Sequence, residues 1–548
     1  MQRSIEPEVK IYHTLGVVDL GAYARTIIIK KSIRNPVHSC QVTFDVSLDV
    51  EGQFFALSAD KLGMLRKLLR KNMPIAVKIN KRAKKYKFVG LIDHIVETQQ
   101  SENRNTGRQI VINCSLLLPK ILIRDTIINA PQLQILFQKH PEIFPDELSR
   151  EILSKRAEFF GWERGRPSDN EPSKELPFAA YPEAAIKWIL DNTIATNTTV
   201  LNYNGLVISP KSFLGGSTET DVNNKPLWDF SFLKREKLFH VDLSRYTGTI
   251  FNYILSCLDQ GFYEVFFDST STKSGEPRNK MIVRPKPFTY KDVNASDNKW
   301  VFWENLEAIK INRSFVKNEA LSQSDFEIKN VFRVYFQNSL LAAPNSEAAQ
   351  LWLQFPIINI DSMIKYGVRE LAIPSTVVNF EDFYKGYNDA IDNDKIALSI
   401  GAKDDEAITM ITEKRDKVLE WYAFPHYESG QITVIGGDYD IGKKLFFEDK
   451  IYFDEEEGKE YQGVEYYIEE TVDHYSVGRD WTTLLSVSRG APISLVPKWF
   501  TKNKGNFIKI DNLSDMGKAT SIDGKKVIDD RLNLRLDYNK LKEIGTIA

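Results

Sequence analysis

Between residues 41 and 50 the chain alternates strictly. Val42, Phe44, Val46, Leu48 and Val50 interleave with Gln41, Thr43, Asp45, Ser47 and Asp49. Only an extended strand puts every second side chain on one face, so the segment predicts a strand with one face on a core and one in water. Ile75, Val77 and Ile79 repeat the pattern, a basic turn follows, and Phe88-Val89-Gly90-Leu91-Ile92 reads as the return strand. Gln109 to Ser115 reads as another strand, and Lys61 to Leu69 as a helix among them. Short strands at this spacing point to a small barrel or sandwich over residues 1–120.

The period then changes. Leu133 to Phe137, Leu148 to Leu153 and Glu183 to Leu190 read as helices, and the polar stretch Glu163 to Lys174 as a loop. Residues 201–300 mix both kinds. Tyr246 to Gln260 predicts a helix, Phe262 to Phe267 a strand, and Met281 to Arg284 its return across a Ser/Thr/Gly/Lys loop. Asn330 to Phe336 predicts a strand. A helix near 407–422 places Ala407, Ile408, Ile411, Val418, Leu419 and Tyr422 on one stripe, with Glu413, Lys414, Arg415 and Asp416 outside it. Strands resume at Gln431 to Ile435 and run to Ser488, and the last fifty residues are polar.

Composition narrows the function classes. The chain has 548 residues, which suggests about three or four domains. Lys+Arg total 72 against Asp+Glu 74, a net charge of −2, so nothing drives the whole chain toward nucleic acid or an anionic membrane. Thirty-two Phe, 22 Tyr and 9 Trp exclude a mainly disordered chain. Cys40, Cys114 and Cys257 are odd in number and widely spaced, so neither a disulfide framework nor a zinc ribbon is expected. Met1 to Glu8 lacks the apolar core of a signal peptide, and no apolar run approaches the roughly 20 residues of a membrane span, so synthesis in the cytoplasm is expected.

The chemical motifs are weak. Gly437 to Lys443 fits the G-x-x-x-x-G-K frame of a phosphate loop. Lys444 stands where a Ser or Thr should hold magnesium, and Leu445-Phe446-Phe447 continues as a strand, not as the required helix. Asp438 and Asp440 start an acidic series that does not continue as a calcium loop, and Asp454 to Gly458 reads as a solvated hairpin tip. The seven histidines show no H-E-x-x-H or other local metal spacing, and Gly215-Gly216-Ser217-Thr218-Glu219 fails as a nucleophile elbow. No catalytic residue, cofactor or metal is therefore assigned. Trp162, Trp188, Trp300, Trp303 and Trp481 could stack on sugars, although core packing is the commoner use of Trp.

One cluster stands out: Lys78, Lys81, Arg82, Lys84, Lys85 and Lys87, six cations within ten residues on a turn between two predicted strands. A solvated turn accounts for it. So does electrostatic contact with an acidic protein surface or with DNA, and these six residues are the candidate contact site.

Several segments together resemble the baseplate hub proteins of contractile phage tails and the related hub and late-control proteins of tail-like injection machines. Tyr466 to Gly490 is similar to the family's paired strands, with His474-x-x-x-Gly478 at the turn and Trp481-x-Thr483-x-Leu485 on the return. Gln431 to Val434 and Ile441-Gly442-Lys443-Lys444-Leu445 resemble the strand and turn before it. Phe262 to Asp268 followed by Val283-Arg284-Pro285-Lys286-Pro287-Phe288 resembles another family hairpin. Further matches are Ser324 to Phe332, Ile364 to Arg369, Val42 to Val50 and Phe88 to Asp93. The resemblance covers residues 8–120 and 225–495 and departs at 121–200 and after 495.

The resemblance implies a mainly β chain with α+β parts: two tail-tube-like β-barrels, a mixed α/β middle region and a helical insert. The expected boundaries are 1–120 for the first barrel, 121–200 for the insert and 201–300 for the mixed domain. They continue with 301–345 and 425–495 for a discontinuous second barrel, 346–424 for a helical or mixed insertion, and 496–548 for a C-terminal extension. Trp481 is expected inside the second barrel. The implied function is a structural homotrimeric ring at the virion tail baseplate that adapts a threefold spike to a sixfold tube. The implied partners are further copies of the chain, the central spike, the tail tube or its initiator, and baseplate wedge proteins. The tape-measure protein is a further candidate, and DNA passes only in transit. Two other classes compete: a tail-associated peptidoglycan hydrolase and a carbohydrate-binding module.

Overall fold

The structure is a computed structural model. It describes residues 5–13, 16–47, 69–102, 105–124, 126–127, 182–183, 186–187, 190, 211–214, 218–233, 237–238, 248–290, 300–324, 327–336, 356–375, 377–378, 405–454, 457–479, 481–509 and 520–521. The helix expected at 61–69 lies outside the described residues except for the buried Leu69, and the helices expected at 133–137 and 148–153 and the loop at 163–174 lie outside them. Of the helix expected at Glu183 to Leu190, the described residues are helical, with Ile186 and Leu190 fully buried. No helix among the described residues is long and apolar enough to cross a membrane.

The fold is mainly β. The chain divides into two units, the first formed by residues 1–287, 294–322 and 428–490, the second by 288–293, 323–427 and 491–548. In the first unit, β1 (Glu8–His13), β2 (Gly16–Asp19), β3 (Ala24–Ser32), β4 (Ser39–Ser47), β5 (Pro74–Lys78), β6 (Phe88–Glu102) and β7 (Asn105–Leu116) form antiparallel neighbours in the order β3-β4-β7-β6-β5-β1-β2. Their alternation becomes rows of buried side chains across the strands. Ile27 faces Val42, which faces Ile112, and Ile29 faces Cys40, which faces Cys114. All six are buried at 2% exposure or less. Each large aliphatic side chain in such a row contributes about 1.5–3 kcal/mol by leaving water. Helix Leu117–Arg124 follows β7 directly and buries Leu117, Leu118, Ile121 and Leu122.

Shorter elements come next in the chain. β8 (Thr126–Ile127) pairs with β11 (Gly248–Thr249), which leads into helix Ile250–Ser256, N-capped by the Thr249 side chain. β9 (Trp228–Phe230) runs parallel to β13 (Pro277–Pro285), and β13 pairs with β12 (Tyr263–Ser271) as the expected hairpin. The β12–β13 hairpin satisfies buried backbone groups of β6 and of helix Leu117–Arg124 through its side chains. Val89 N–H donates to Ser269 Oγ, Asn279 Nδ2 donates to the Val89 carbonyl, and Leu118 N–H donates to Asn279 Oδ1, all near 3.0 Å.

The remaining strands of the first unit are β14 (Ala308–Ile311), β15 (Val316–Gln323), β20 (Glu428–Ile435), β21 (Lys444–Asp454), β22 (Lys459–Ser476) and β23 (Thr482–Ala491). β22 is 18 residues long and serves two partners. Its first part pairs with β21, from Asp454↔Lys459 to Lys444↔Tyr467, and its last part pairs with β3, from Glu470↔Ser32 to Ser476↔Thr26. The transfer occurs where Ile468 N–H donates to the Lys443 carbonyl and the Glu469 carbonyl accepts from Ile33 N–H. Early and late strands thus belong to one 13-stranded sheet, ordered β15-β20-β23-β22-β3-β4-β7-β6-β5-β1-β2 with β21 and β14 branching from β22.

The second unit holds a five-stranded sheet ordered β18-β16-β17-β24-β25. These are Glu370–Ser375, Val331–Phe336, Ile357–Asn359, Phe507–Lys509 and Thr520–Ser521. The strand at 331–336, placed with the second barrel from sequence, therefore pairs with 357–359 and 370–375. Helix Asp405–Tyr422 packs on it with Val418, Leu419 and Trp421 buried. Lys414 and Arg415, expected outside, are also buried, because this helix is covered on more than its apolar stripe. Helix Leu495–Asn503 and β24 join the same unit, where Trp499 meets Phe424 and Phe507 edge to face.

Candidate functional site

The six cations of the β5–β6 connection part company in three dimensions. Lys81, Arg82 and Lys84 stay exposed, whereas Lys87 is 1% exposed. The Lys85 ammonium lies within the unit and donates to Asp440 Oδ2 at 2.5 Å, and Asp440 also meets Lys443 at 2.9 Å. Lys87 Nζ donates to the Gly437 carbonyl at 2.8 Å, lies 3.8 Å from Asp473 Oδ2 and sits over the Trp481 ring at 5.6 Å. Lys78 sits 4.4 Å above the Tyr86 ring and 3.9 Å from Glu8, which also accepts from Tyr86 Oη at 2.8 Å. Three of the six sequence-selected cations are thus tied to carboxylates of their own chain. Only Lys81, with Asp19 at 3.9 Å, has a described carboxylate near it among the other three.

The loop that mimics a phosphate site is the counterpart of this turn. Gly442, at φ +76°, lets the chain reverse into β21, and its carbonyl accepts from Arg284 Nη2 at 2.7 Å. Gly436 has no Cβ because one would lie 2.1 Å from the Trp481 indole. Trp481 is 7% exposed, as expected of a core residue, and its Nε1–H donates to Asp473 Oδ1 at 3.0 Å. Thr483 Oγ1 donates to the same oxygen at 2.6 Å. Asp438 and Asp440 belong to this loop. They face Lys87 and Lys85.

Electrostatics decide what this cluster can do. Burial alone would raise the Asp440 pKa, but Lys85 and Lys443 outweigh it and hold the carboxyl far below the usual range. Burial would lower that of Lys85, and Asp440 reverses it upward. Asp268 behaves like Asp440: burial is outweighed by Lys31, whose Nζ lies at 2.5 Å. Each carboxylate is a locked anion, unsuited to passing protons. A glycosidase needs two carboxyl groups across an open cleft, one of them protonated near neutrality. A surface depression of about 240 Å³ borders Ile33, Arg34, Phe251 and Lys286. Its only lining carboxylate among the described residues, Glu264, is held by Arg284 at 2.6 Å and by Tyr467 Oη at 2.7 Å. Among the described residues no group of three His, Cys, Asp or Glu could hold a metal ion. Trp300 and Trp303 are buried and offer no sugar platform.

Sequence reading selected the cations and missed their partners Asp440, Asp473 and Glu8. The available signal was complementarity: an acidic D-x-D loop and an isolated basic turn in one nearly neutral chain.

No family model matches the chain, and no curated protein matches it. It is similar to several solved structures. The 43 kDa tail protein of prophage MuSo2 from Shewanella oneidensis aligns at 11% identity and TM-score 0.39, covering 89% of this chain and 97% of that one. The prophage tail protein gp18 from Listeria monocytogenes aligns at 9% identity and TM-score 0.38, covering 90% and 98%. The E. coli c3393 protein, a type VI secretion component described as similar to T4 tail proteins gp27 and gp5, aligns at 7% identity and TM-score 0.31, covering 86% and 74%.

Proposed function

We propose that this chain is a structural hub of a contractile tail, a homotrimeric ring at the baseplate that adapts a threefold spike to a sixfold tube. The observation that carries the reading is the β3–β22 junction. The described parts of the segments that resemble hub proteins, Val42 to Ser47, Phe88 to Asp93, Tyr466 to Ser476 and Thr482 to Gly490, are drawn from distant parts of the sequence and meet in one sheet. In this reading the sheet's two halves, β3–β7 and β20–β23, correspond to the two tube-like barrels. Three copies then present six such modules to a sixfold tube, and heterologous contacts close the ring. Its partners are the spike, the tube or its initiator and the surrounding wedge, with DNA passing through the channel. Assembly takes place in the host cytoplasm. The pairing of Asp440 with Lys85 and of Glu264 with Arg284 and Tyr467 favours this structural role over a peptidoglycan hydrolase. Negative-stain images of the purified chain test it. Threefold rings with a central channel are expected, and a monomer that degrades cell wall overturns the reading.

A further inference from the structure

The β21–β22 hairpin is folded inside out. Beyond the register shift after Phe447, the buried face carries Lys450, Tyr452 and Asp454 at 8% exposure or less. Lys450 Nζ lies 2.6 Å from Glu319 and 3.1 Å from Glu428 and sits over the Tyr466 ring at 5.2 Å. Strand alternation then forces Ile451 and Phe453 outward, where they are 60% and 55% exposed. Cross-strand pairing puts Gln462 beside Ile451 and Glu460 beside Phe453, both exposed. Glu448 and Asp449 are also exposed. Glu448, Asp449 and Glu460 have no cation partner among the described residues. The outer face of this hairpin is therefore apolar at its centre and acidic around it.

The same chain carries the complement. Lys81, Arg82 and Lys84 project from the β5–β6 turn, in the other half of the sheet from β22. Arg82 and Lys84 have no carboxylate partner among the described residues. Three exposed cations at one hairpin and three exposed anions at another make the surface self-complementary between copies. Two aromatic or aliphatic side chains left in water beside such an acidic rim fit the centre and edge of an interface. Contact between different patches on successive copies is heterologous and can close into a ring.

We infer that the outer face of the two strand segments 448–454 and 459–462 is the docking surface for the Lys81–Arg82–Lys84 turn of a second copy of this chain. The inference deepens the ring reading above by naming the junction, and rests on it. Charge pairing at the rim sets partner choice and encounter, while Ile451 and Phe453 leave water on docking.

The test is sedimentation velocity of the full chain, with circular dichroism to confirm folding. One variant carries Lys81→Glu, Arg82→Glu and Lys84→Glu; the other carries Glu448→Lys, Asp449→Lys and Glu460→Lys. Each alone is expected to weaken self-association by at least about tenfold. Mixing the two variants is expected to restore mixed dimers, because a junction between unlike variants is again complementary, while a ring of three keeps one like-charged junction and stays weakened. Ile451→Ser with Phe453→Ser is expected to weaken association at high as well as low salt, whereas rim contacts alone are screened. Oligomers that survive both triple reversals, or triple variants that the mixture fails to rescue, overturn this inference alone. A wild-type chain that stays monomeric overturns it together with the ring reading. Association of either triple variant with a different tail chain but not with itself assigns the surface to that chain and also overturns the inference.

Discussion

The two halves of the 13-stranded sheet have different interiors. In the first half, the inner rows are aliphatic: Ile27, Val42 and Ile112, then Ile29, Cys40 and Cys114. In the second half, polar clusters are set among the apolar residues. Lys444 meets Glu465 at 3.0 Å, and Trp303 Nε1–H donates to the same carboxylate at 2.6 Å. Lys450 bridges Glu319 and Glu428, and Asp473 collects Trp481 and Thr483. Aliphatic rows specify which face is inward but tolerate a shift of two residues. A buried ion pair tolerates no shift, because a slipped partner leaves an uncompensated charge in a dry interior. Charge therefore sets the register of the second half, whereas in the β3–β4–β7 rows of the first it is set by pattern and volume, and the buried Lys31 of β3 is paired with Asp268 of β12.

The largest way to break that contrast is Glu465→Ala. It strands the Lys444 ammonium and the Trp303 indole N–H, and is expected to cost about 3–5 kcal/mol. Lys444→Met with Glu465→Leu removes both charges and is expected to recover most of that loss. Denaturant midpoints of the single and double variants decide. A double variant no more stable than Glu465→Ala would show that the site is held by packing and not by charge.

His38 tests the first half, where a titratable group is buried without an ion partner of its own. Burial, reinforced by Lys31, pushes its pKa down from 6.5 to about 4, while the Ser32 carbonyl and Asp268 pull weakly the other way. Its Nε2 lies 3.0 Å from the Ser32 carbonyl. The folded state keeps the ring neutral where the unfolded state takes up a proton. Stability is complete above the unfolded value and is lost as pH falls toward the folded one. Between about pH 7 and 5, above most carboxylate titrations, the loss is about 2 kcal/mol. Stability curves for wild type and His38→Gln check it. An equally steep decline in the variant assigns the slope to other groups.

Ile112→Val sharpens the contrast from the aliphatic side. Removing one methylene from a filled row is expected to cost about 0.5–1.5 kcal/mol, with no pH dependence. A thermal melt is sufficient. A loss comparable to that of Glu465→Ala would mean the aliphatic rows are as unforgiving as the charged ones.

The smallest effect is expected from Lys81→Glu, Arg82→Glu and Lys84→Glu, each within about 0.5 kcal/mol for folding. Lys85→Glu should stand apart, because it places a second anion against Asp440. From sequence alone Lys85 groups with the solvated cations of the turn. Its buried pairing corrects that, and chemical denaturation of the four single variants separates the two roles.

Much of this was readable in advance where the physics is local. Alternation at 42–46 and at 431–434, the 262–284 hairpin and the turn at Gly478 depend on neighbours in the chain. Each appears in the structure at nearly the expected residues. The candidate cations were also legible, since a run of like charge is a property of composition. Two decisions were not local. One was the pairing of β3 with β22, which joins residues more than 400 positions apart. The other was the sorting of the basic turn into three exposed cations and three held inside the unit, because Lys85 and Asp440 are 355 residues apart. An alternating strand presents the same open edge to any suitable partner, and a lysine carries the same charge in water or in a core. Which edge it pairs with, and which counter-ion makes its burial affordable, exist only once the chain has folded.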